Sequence, residues 1–156
     1  MCGITGIYGL TGQQARDEAR ETIACMNAAL AHRGPDASGI WDTDLELVLG
    51  HQRLSIIDTQ EASNQPFLAA KSGDALVFNG EVYNYRELRV ELESQHDFQT
   101  DSDTEVVLVA LQQWGRSALH RFNGMFAFAW WNSEKRELLL VRDRLGIKPL
   151  YYSESN

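Results

Sequence analysis

Apolar residues in this chain recur first with strand spacing, then with helical spacing, then with strand spacing again. Gly3 to Tyr8 is glycine-rich and apolar and reads as a first strand. Gln13 to Ala31 reads as a helix, because Ala19, Ile23, Met26 and Leu30 follow at steps of four, three and four and so share a face. His32-Arg33-Gly34-Pro35-Asp36 ends it, with Gly and Pro as stop signals. Ser38 to Trp41 and Leu45 to Leu54 are expected strands around an Asp42-Thr43-Asp44 turn. Ala75-Leu76-Val77-Phe78 is a short buried strand that runs into Asn79-Gly80. Asn84 can cap a helix from Tyr85 to about Glu93. Ser102, with Glu105 three residues on, opens a second from Asp103 to Trp114, which Gly115 stops. Met125 to Trp131 and Glu137 to Val141 are joined as a hairpin by Asn132 to Arg136, and Pro149 to Tyr152 is expected as a last strand. The order of strands, helices and strands favours an α+β fold with antiparallel sheets over an alternating βαβ wind.

With 156 residues the chain has the length of one domain and can bury a real core. Lys and Arg number 14 against 22 Asp and Glu, a net charge of -8. An acidic domain without a basic block is a poor nucleic-acid binder. The start lacks a basic segment followed by an apolar run, and no stretch approaches the ~18 consecutive apolar residues of a membrane span. The expectation is a cytoplasmic protein with no membrane or nucleic-acid partner. The two cysteines, Cys2 and Cys25, do not suggest a disulfide-dependent fold.

Cys2 follows Met1 directly. If Met1 is removed, one residue holds both a thiol and a free α-amine. These titrate near ~8.5 and ~7.7–8.0, close enough to neutrality for proton transfer between them. Such a residue can serve as nucleophile and base; a small buried thiol is the plain alternative. Asn79-Gly80 allows two readings as well. Both residues tolerate positive φ and suit a tight turn. An Asn amide and a Gly N–H can equally donate two hydrogen bonds to one developing oxyanion. Arg53 ends an apolar strand, where its fork can face solvent or hold a carboxylate bidentately. Thr100 to Glu105 carries three carboxylates that suit a helix N-terminus. The four histidines lack metal-site spacing, and no phosphate loop or dinucleotide fingerprint occurs.

Seven segments together carry a resemblance. They are Cys2-Gly3-Ile4, His32 to Asp36, Arg53-Leu54-Ser55-Ile56-Ile57-Asp58, Phe78 to Asn84, Ser102 to Glu105, Gly124 to Phe128, and Arg142 to Tyr152. In this order the chain resembles the class II glutamine amidotransferases, and most closely the glutaminase domain of glutamine-hydrolysing asparagine synthetases. The resemblance implies an N-terminal nucleophile hydrolase fold, a four-layer α-β-β-α sandwich of two antiparallel sheets. It makes Cys2 the nucleophile and its freed amine the base, with Asn79 and Gly80 as the oxyanion hole. Arg53 would hold the glutamine α-carboxylate and Asp103 its α-ammonium. Glu81 and the backbone of Arg53, Leu54, Ser55, Ile56 and Ile57 would line the same pocket.

The implied reaction is hydrolysis of the glutamine side-chain amide through a Cys2 thioester, giving glutamate and ammonia. The ammonia would serve an ATP-dependent amide-forming domain of the same longer chain. ATP and magnesium are expected only there, with no cofactor or metal in residues 1–156. The synthetase signature Ser-Gly-Gly-X-Asp-Ser does not occur, and such a glutaminase domain is expected to continue past Tyr152. A non-catalytic docking or regulatory module with the same fold is the alternative. Arg142, Asp143, Arg144 and Lys148 are expected to form ion pairs behind the pocket, and Cys25 to be an inert core thiol.

Overall fold

A computed structural model describes residues 1–43 and 46–154; the expected turn at Asp44 and the strand start at Leu45 lie outside them. The elements are β1 (Gly3–Tyr8), α1 (Gln13–Ala29), β2 (Ala37–Asp42), β3 (Leu47–Arg53), β4 (Phe67–Leu68), β5 (Ala75–Val82), α2 (Tyr85–Leu92), α3 (Asp103–Trp114), β6 (Gly124–Asn132) and β7 (Glu137–Arg142). One sheet has the order β1-β3-β2 and the other β4-β5-β6-β7, with every pairing antiparallel.

Three apolar clusters stack these elements in the expected α-β-β-α order. Ala19 and Ile23 of α1 pack on Val48 of β3. Leu47 and Leu49 on the opposite face of β3 meet Ala75, Val77, Ala129 and Trp131 of the second sheet. The largest cluster sets Leu76, Phe78, Phe126, Phe128 and Trp130 against α2 and α3. β3 and β5 are therefore covered on both faces. This is why their apolar runs are continuous rather than alternating.

Four expectations need correction. Met26 of α1 is 40% exposed, and the buried face continues instead through Asn27, one turn after Ile23. Asn27 is polar, which hid it from an apolar pattern. Its side chain accepts from Thr5 Oγ1 at 2.8 Å and donates to the Gly39 carbonyl at 3.1 Å, joining helix to sheet. Gly50 lies under this contact, where a Cβ would fall 2.3 Å from Thr5 Oγ1. Asn79-Gly80 is not a turn, since β5 continues through both residues to Val82. Pro149 to Tyr152 has no regular structure, and Tyr151 and Tyr152 are exposed. Asn84 precedes α2 without a side-chain cap; its amide instead joins the Arg121 carbonyl and the Asn123 N–H.

Candidate active site

The period-two alternation of the strands places the site. Leu47 and Leu49 face the gap between the sheets, and the next residues on that face are His51 and Arg53. On β5, Ala75 and Val77 are followed on the same face by Asn79 and Glu81. Ile4 packs into the gap, and Cys2 lies two residues before it. At one mouth of the gap these three rows change from apolar to polar. A pocket opens there, lined by Cys2, Arg53, Leu54, Ile56, Ile57, Asn79, Gly80, Glu81 and Asp103. Every expected site residue except Ser55 lines it. Ser55 gives its N–H to Asp36 Oδ2 at 2.7 Å, tying its backbone away from the pocket.

Cys2 is half-buried. Its thiol donates to the Leu54 carbonyl at 3.7 Å and accepts the Leu54 N–H at 3.4 Å. Arg33 steadies the adjoining peptide by donating from Nε to the Cys2 carbonyl at 3.2 Å.

Antiparallel alternation sets the direction of the Gly80 N–H. Tyr83, directly after β5, donates its N–H to Asn123 at 2.8 Å, so odd residues of β5 point their backbone toward β6. Even residues point the other way, and side chains meet two of them. The Phe78 N–H donates to Gln65 Oε1 at 2.6 Å, and the Val82 N–H to Asp103 Oδ2 at 3.0 Å. The Gly80 N–H lies between them on the same side, facing the pocket. Glycine is required there because a Cβ would lie 2.4 Å from the Met125 carbonyl oxygen. The Asn79 side chain, though buried, makes no side-chain hydrogen bond among the described residues. A thiol thus shares the pocket with a side-chain amide and a main-chain N–H, both available to an oxygen.

Charge occupies the rest of the wall. Arg53 is buried and donates from Nη1 to the Gln60 carbonyl at 3.0 Å and Asn64 Oδ1 at 2.7 Å, and from Nη2 to the Asp58 carbonyl. Nε–H and the second Nη2 proton have no acceptor among the described residues, which leaves part of the guanidinium for a carboxylate. Asp103 begins α3, whose N-cap Ser102 accepts the Glu105 N–H at 3.3 Å. Burial pushes the Asp103 carboxyl up to about 6; the Val82 N–H opposes this and the Glu81 charge adds to it. Asp58 joins the two halves of the wall. Its carboxylate takes the N–H groups of Gln60 and Asp101 and the Ser63 hydroxyl, at 3.0, 2.8 and 2.8 Å.

Gln65, Thr104, Met125 and Lys148 also line the pocket. Sequence reading does not give Gln65, which lies in a segment without periodicity. Lys148 stands in a recognised segment but not in the expected role. Among the described residues Arg142, Asp143, Arg144 and Lys148 form no ion pair with one another. Asp143 instead accepts the N–H groups of Phe126, Leu145, Ile147 and Lys148. Arg142 donates to the carbonyls of Gly146 and Lys148, and Arg144 to those of Leu119 and Phe122. A tight turn offers many orphan backbone groups, and charged side chains satisfy them. Cys25 is exposed on α1, not buried in a core.

Among the described residues no group of three or more His, Cys, Asp or Glu could hold a metal ion. No helix of the described residues is long and apolar enough to cross a membrane.

Comparison with known proteins concerns the chain as a whole. Asparagine synthetase [glutamine-hydrolyzing] 1 of Bacillus subtilis is 42% identical over 157 residues, covering 100% of this chain and 24% of the relative. Asparagine synthetase B [glutamine-hydrolyzing] of Escherichia coli is 42% identical, covering 97% of this chain and 26% of the relative. The chain therefore spans about a quarter of the length of these relatives. The solved structure of glutamine phosphoribosylpyrophosphate amidotransferase from B. subtilis superposes with a TM-score of 0.74 at 24% identity, over 96% of this chain and 38% of that one. This establishes the shared sandwich fold. The model of a glutamine amidotransferase domain matches residues 1–156, and on that full-length match the chain belongs to the glutamine amidotransferase domain family.

Proposed function

We propose that the domain hydrolyses the side-chain amide of glutamine and passes the ammonia to an amide-forming domain of a longer, asparagine synthetase-like chain. The observation that carries this reading is one pocket holding the Cys2 thiol, the Asn79 amide, the Gly80 N–H, Arg53 and Asp103. Glutamine has an amide to cleave and a zwitterionic end to recognise. Arg53 offers N–H donors to its α-carboxylate, and Asp103 a carboxylate to its α-ammonium.

Removal of Met1 frees the Cys2 amine. The amine takes the thiol proton, and the thiolate attacks the amide carbon. The carbonyl oxygen gains negative charge between the Asn79 amide and the Gly80 N–H. The C–N bond breaks, and the ammonium proton passes to the departing nitrogen as ammonia leaves. Water, deprotonated by the same amine, then attacks the thioester. The C–S bond breaks, glutamate leaves and the thiol is restored. These steps need no cofactor in this domain. ATP and magnesium belong to the amide-forming partner, and the setting is cytoplasmic.

The test is glutamate and ammonia release from glutamine by the processed protein and by Cys2→Ala. Release is expected only from the former, and equal release from both would sink the reading. A second reading is favoured by one observation: Met1 lines the pocket. A chain that keeps Met1 has its Cys2 nitrogen in a peptide bond and would serve as a binding or regulatory module. Intact mass distinguishes the two.

A further inference from the structure

Lys148 is only 5% exposed, yet its ammonium has a methionine sulfur as its one described partner, Met1 Sδ at 3.1 Å. A buried cation normally has a carboxylate or several carbonyl partners. No carboxylate oxygen of the described residues lies within salt-bridge distance of this one. The backbone of Lys148 is held from both sides. Its N–H donates to Asp143 Oδ2 at 2.9 Å, and its carbonyl accepts from Arg142 Nε at 2.8 Å. The left-handed Gly146, φ 64°, closes the turn that brings the side chain inward. The turn thus directs a desolvated positive charge at the residue that must leave.

We propose that Lys148 is a positioning residue for the N-terminal base: once Met1 is gone, its ammonium stands near the Cys2 amine and disfavours that amine's protonated form. This rests on the glutaminase reading of the pocket. A nearby like charge favours the neutral amine, and the neutral amine is the form that accepts the thiol proton. The pocket's other charges are accounted for. The carboxyl groups of Glu81 on β5 and Asp103 on α3 also line it and, where charged, favour a protonated amine. Arg53 of β3 is engaged with the 58–64 loop. Arg33, beyond α1, is bonded to the Cys2 carbonyl, and Asp143 and Arg142 are bonded to backbone of their own turn. Lys148 is the cation of the 143–148 turn that lines the pocket, and it opposes the two carboxylates.

The experiment compares processed wild type, Lys148→Met and Lys148→Arg, with Met1 removal checked by mass. The pH dependence of glutamine kcat/KM is read from about pH 7, above the Asp103 titration near 6, to about pH 9, which brackets the amine's ordinary range. Lys148→Met is expected to move the acidic limb to higher pH and lose on the order of tenfold at the acidic end, the effect of one pKa unit. Its high-pH plateau should stay near wild type, and Lys148→Arg should follow wild type. An unmoved limb in Lys148→Met, or an equal loss at every pH that arginine does not rescue, overturns the proposal. A second readout, the pH dependence of N-terminal amine acylation, needs no turnover and compares wild type with Lys148→Met, or with Lys148→Gln if the Met variant fails to fold. An acylation midpoint that does not rise when the Lys148 charge is removed overturns the proposal as well. If glutamine is not hydrolysed at all, the glutaminase reading fails, and acylation still decides the effect of Lys148.

Discussion

The Asn79 amide lines the pocket without a side-chain hydrogen bond among the described residues. The amide is open to the pocket, where it can donate to an oxygen on which charge develops. Asn79→Ala is expected to lower kcat for glutamine hydrolysis about 100–1000-fold, the usual cost of one lost oxyanion donor. KM should change little, because the ground-state carbonyl uses the donor weakly. Steady-state kinetics on the processed protein check this; a variant that loses affinity and keeps its kcat would place Asn79 in ground-state binding. The Asn79 side chain makes no hydrogen bond among the described residues, so the fold should tolerate the change.

At the scale of elements, β5 carries the site because its outer edge is only partly paired. β4 covers just Ala75 and Leu76. Beyond them, Gln65 takes the Phe78 N–H, and His51 Nε2 lies 3.2 Å from the Phe78 carbonyl oxygen. Asp103 takes the Val82 N–H, and Gly80 is left facing the pocket. Gln65→Leu should leave the Phe78 N–H buried without a partner and cost about 1–3 kcal/mol, with a fall in kcat as the strand before Gly80 loosens. Urea denaturation measures the first effect, and an unchanged midpoint would mean that the 2.6 Å bond contributes nothing net. This clamp also marks where sequence reading stops. The boundaries of β1, α3, β6 and β7 follow from local patterns and caps, which depend on neighbours along the chain. The extension of β5 through Asn79-Gly80 depends on β6 opposite, which holds Gly80 against the Met125 carbonyl. A dipeptide that favours a turn yields to that pairing. Arg53, Asn79, Gly80 and Asp103 were legible through their motif segments, while Gln65 had no local signal. Lys148 was named for the wrong partner because its turn folds onto Met1 from the far end of the chain.

For the molecule as a whole, two buried titratable groups should balance each other's effect on stability. Burial lowers His51 to about 4, with the Phe78 carbonyl opposing the shift and the Arg53 charge adding to it. The unfolded chain then binds this proton more readily than the folded one. Stability from His51 is full above the ordinary imidazole value of 6.5 and is lost as pH falls from there toward about 4. Asp103 acts oppositely. Its folded value near 6 lies above the ordinary carboxyl value of 3.8, so the folded chain holds its proton longer. Stability falls as pH rises from 3.8 to about 6 and stays reduced above that. Each effect is of the order of 3 kcal/mol, and between about pH 4 and 6 their slopes oppose. Asp58 and Asp143 have carboxyls below the ordinary 3.8. Burial raises both, but the backbone N–H groups they accept outweigh it. Their contributions are lost at still lower pH, outside this window. Asp103→Asn removes one side of the balance. Its Oδ1 can still accept the Val82 N–H, so the fold is kept. The variant should be more stable than wild type near neutrality, and its stability should fall more steeply as pH drops from about 6 to about 4. It should also bind glutamine far more weakly, having lost the partner of the α-ammonium. Denaturation midpoints of both proteins across this range decide the matter, since parallel curves would show that Asp103 titrates as an ordinary solvated carboxylate.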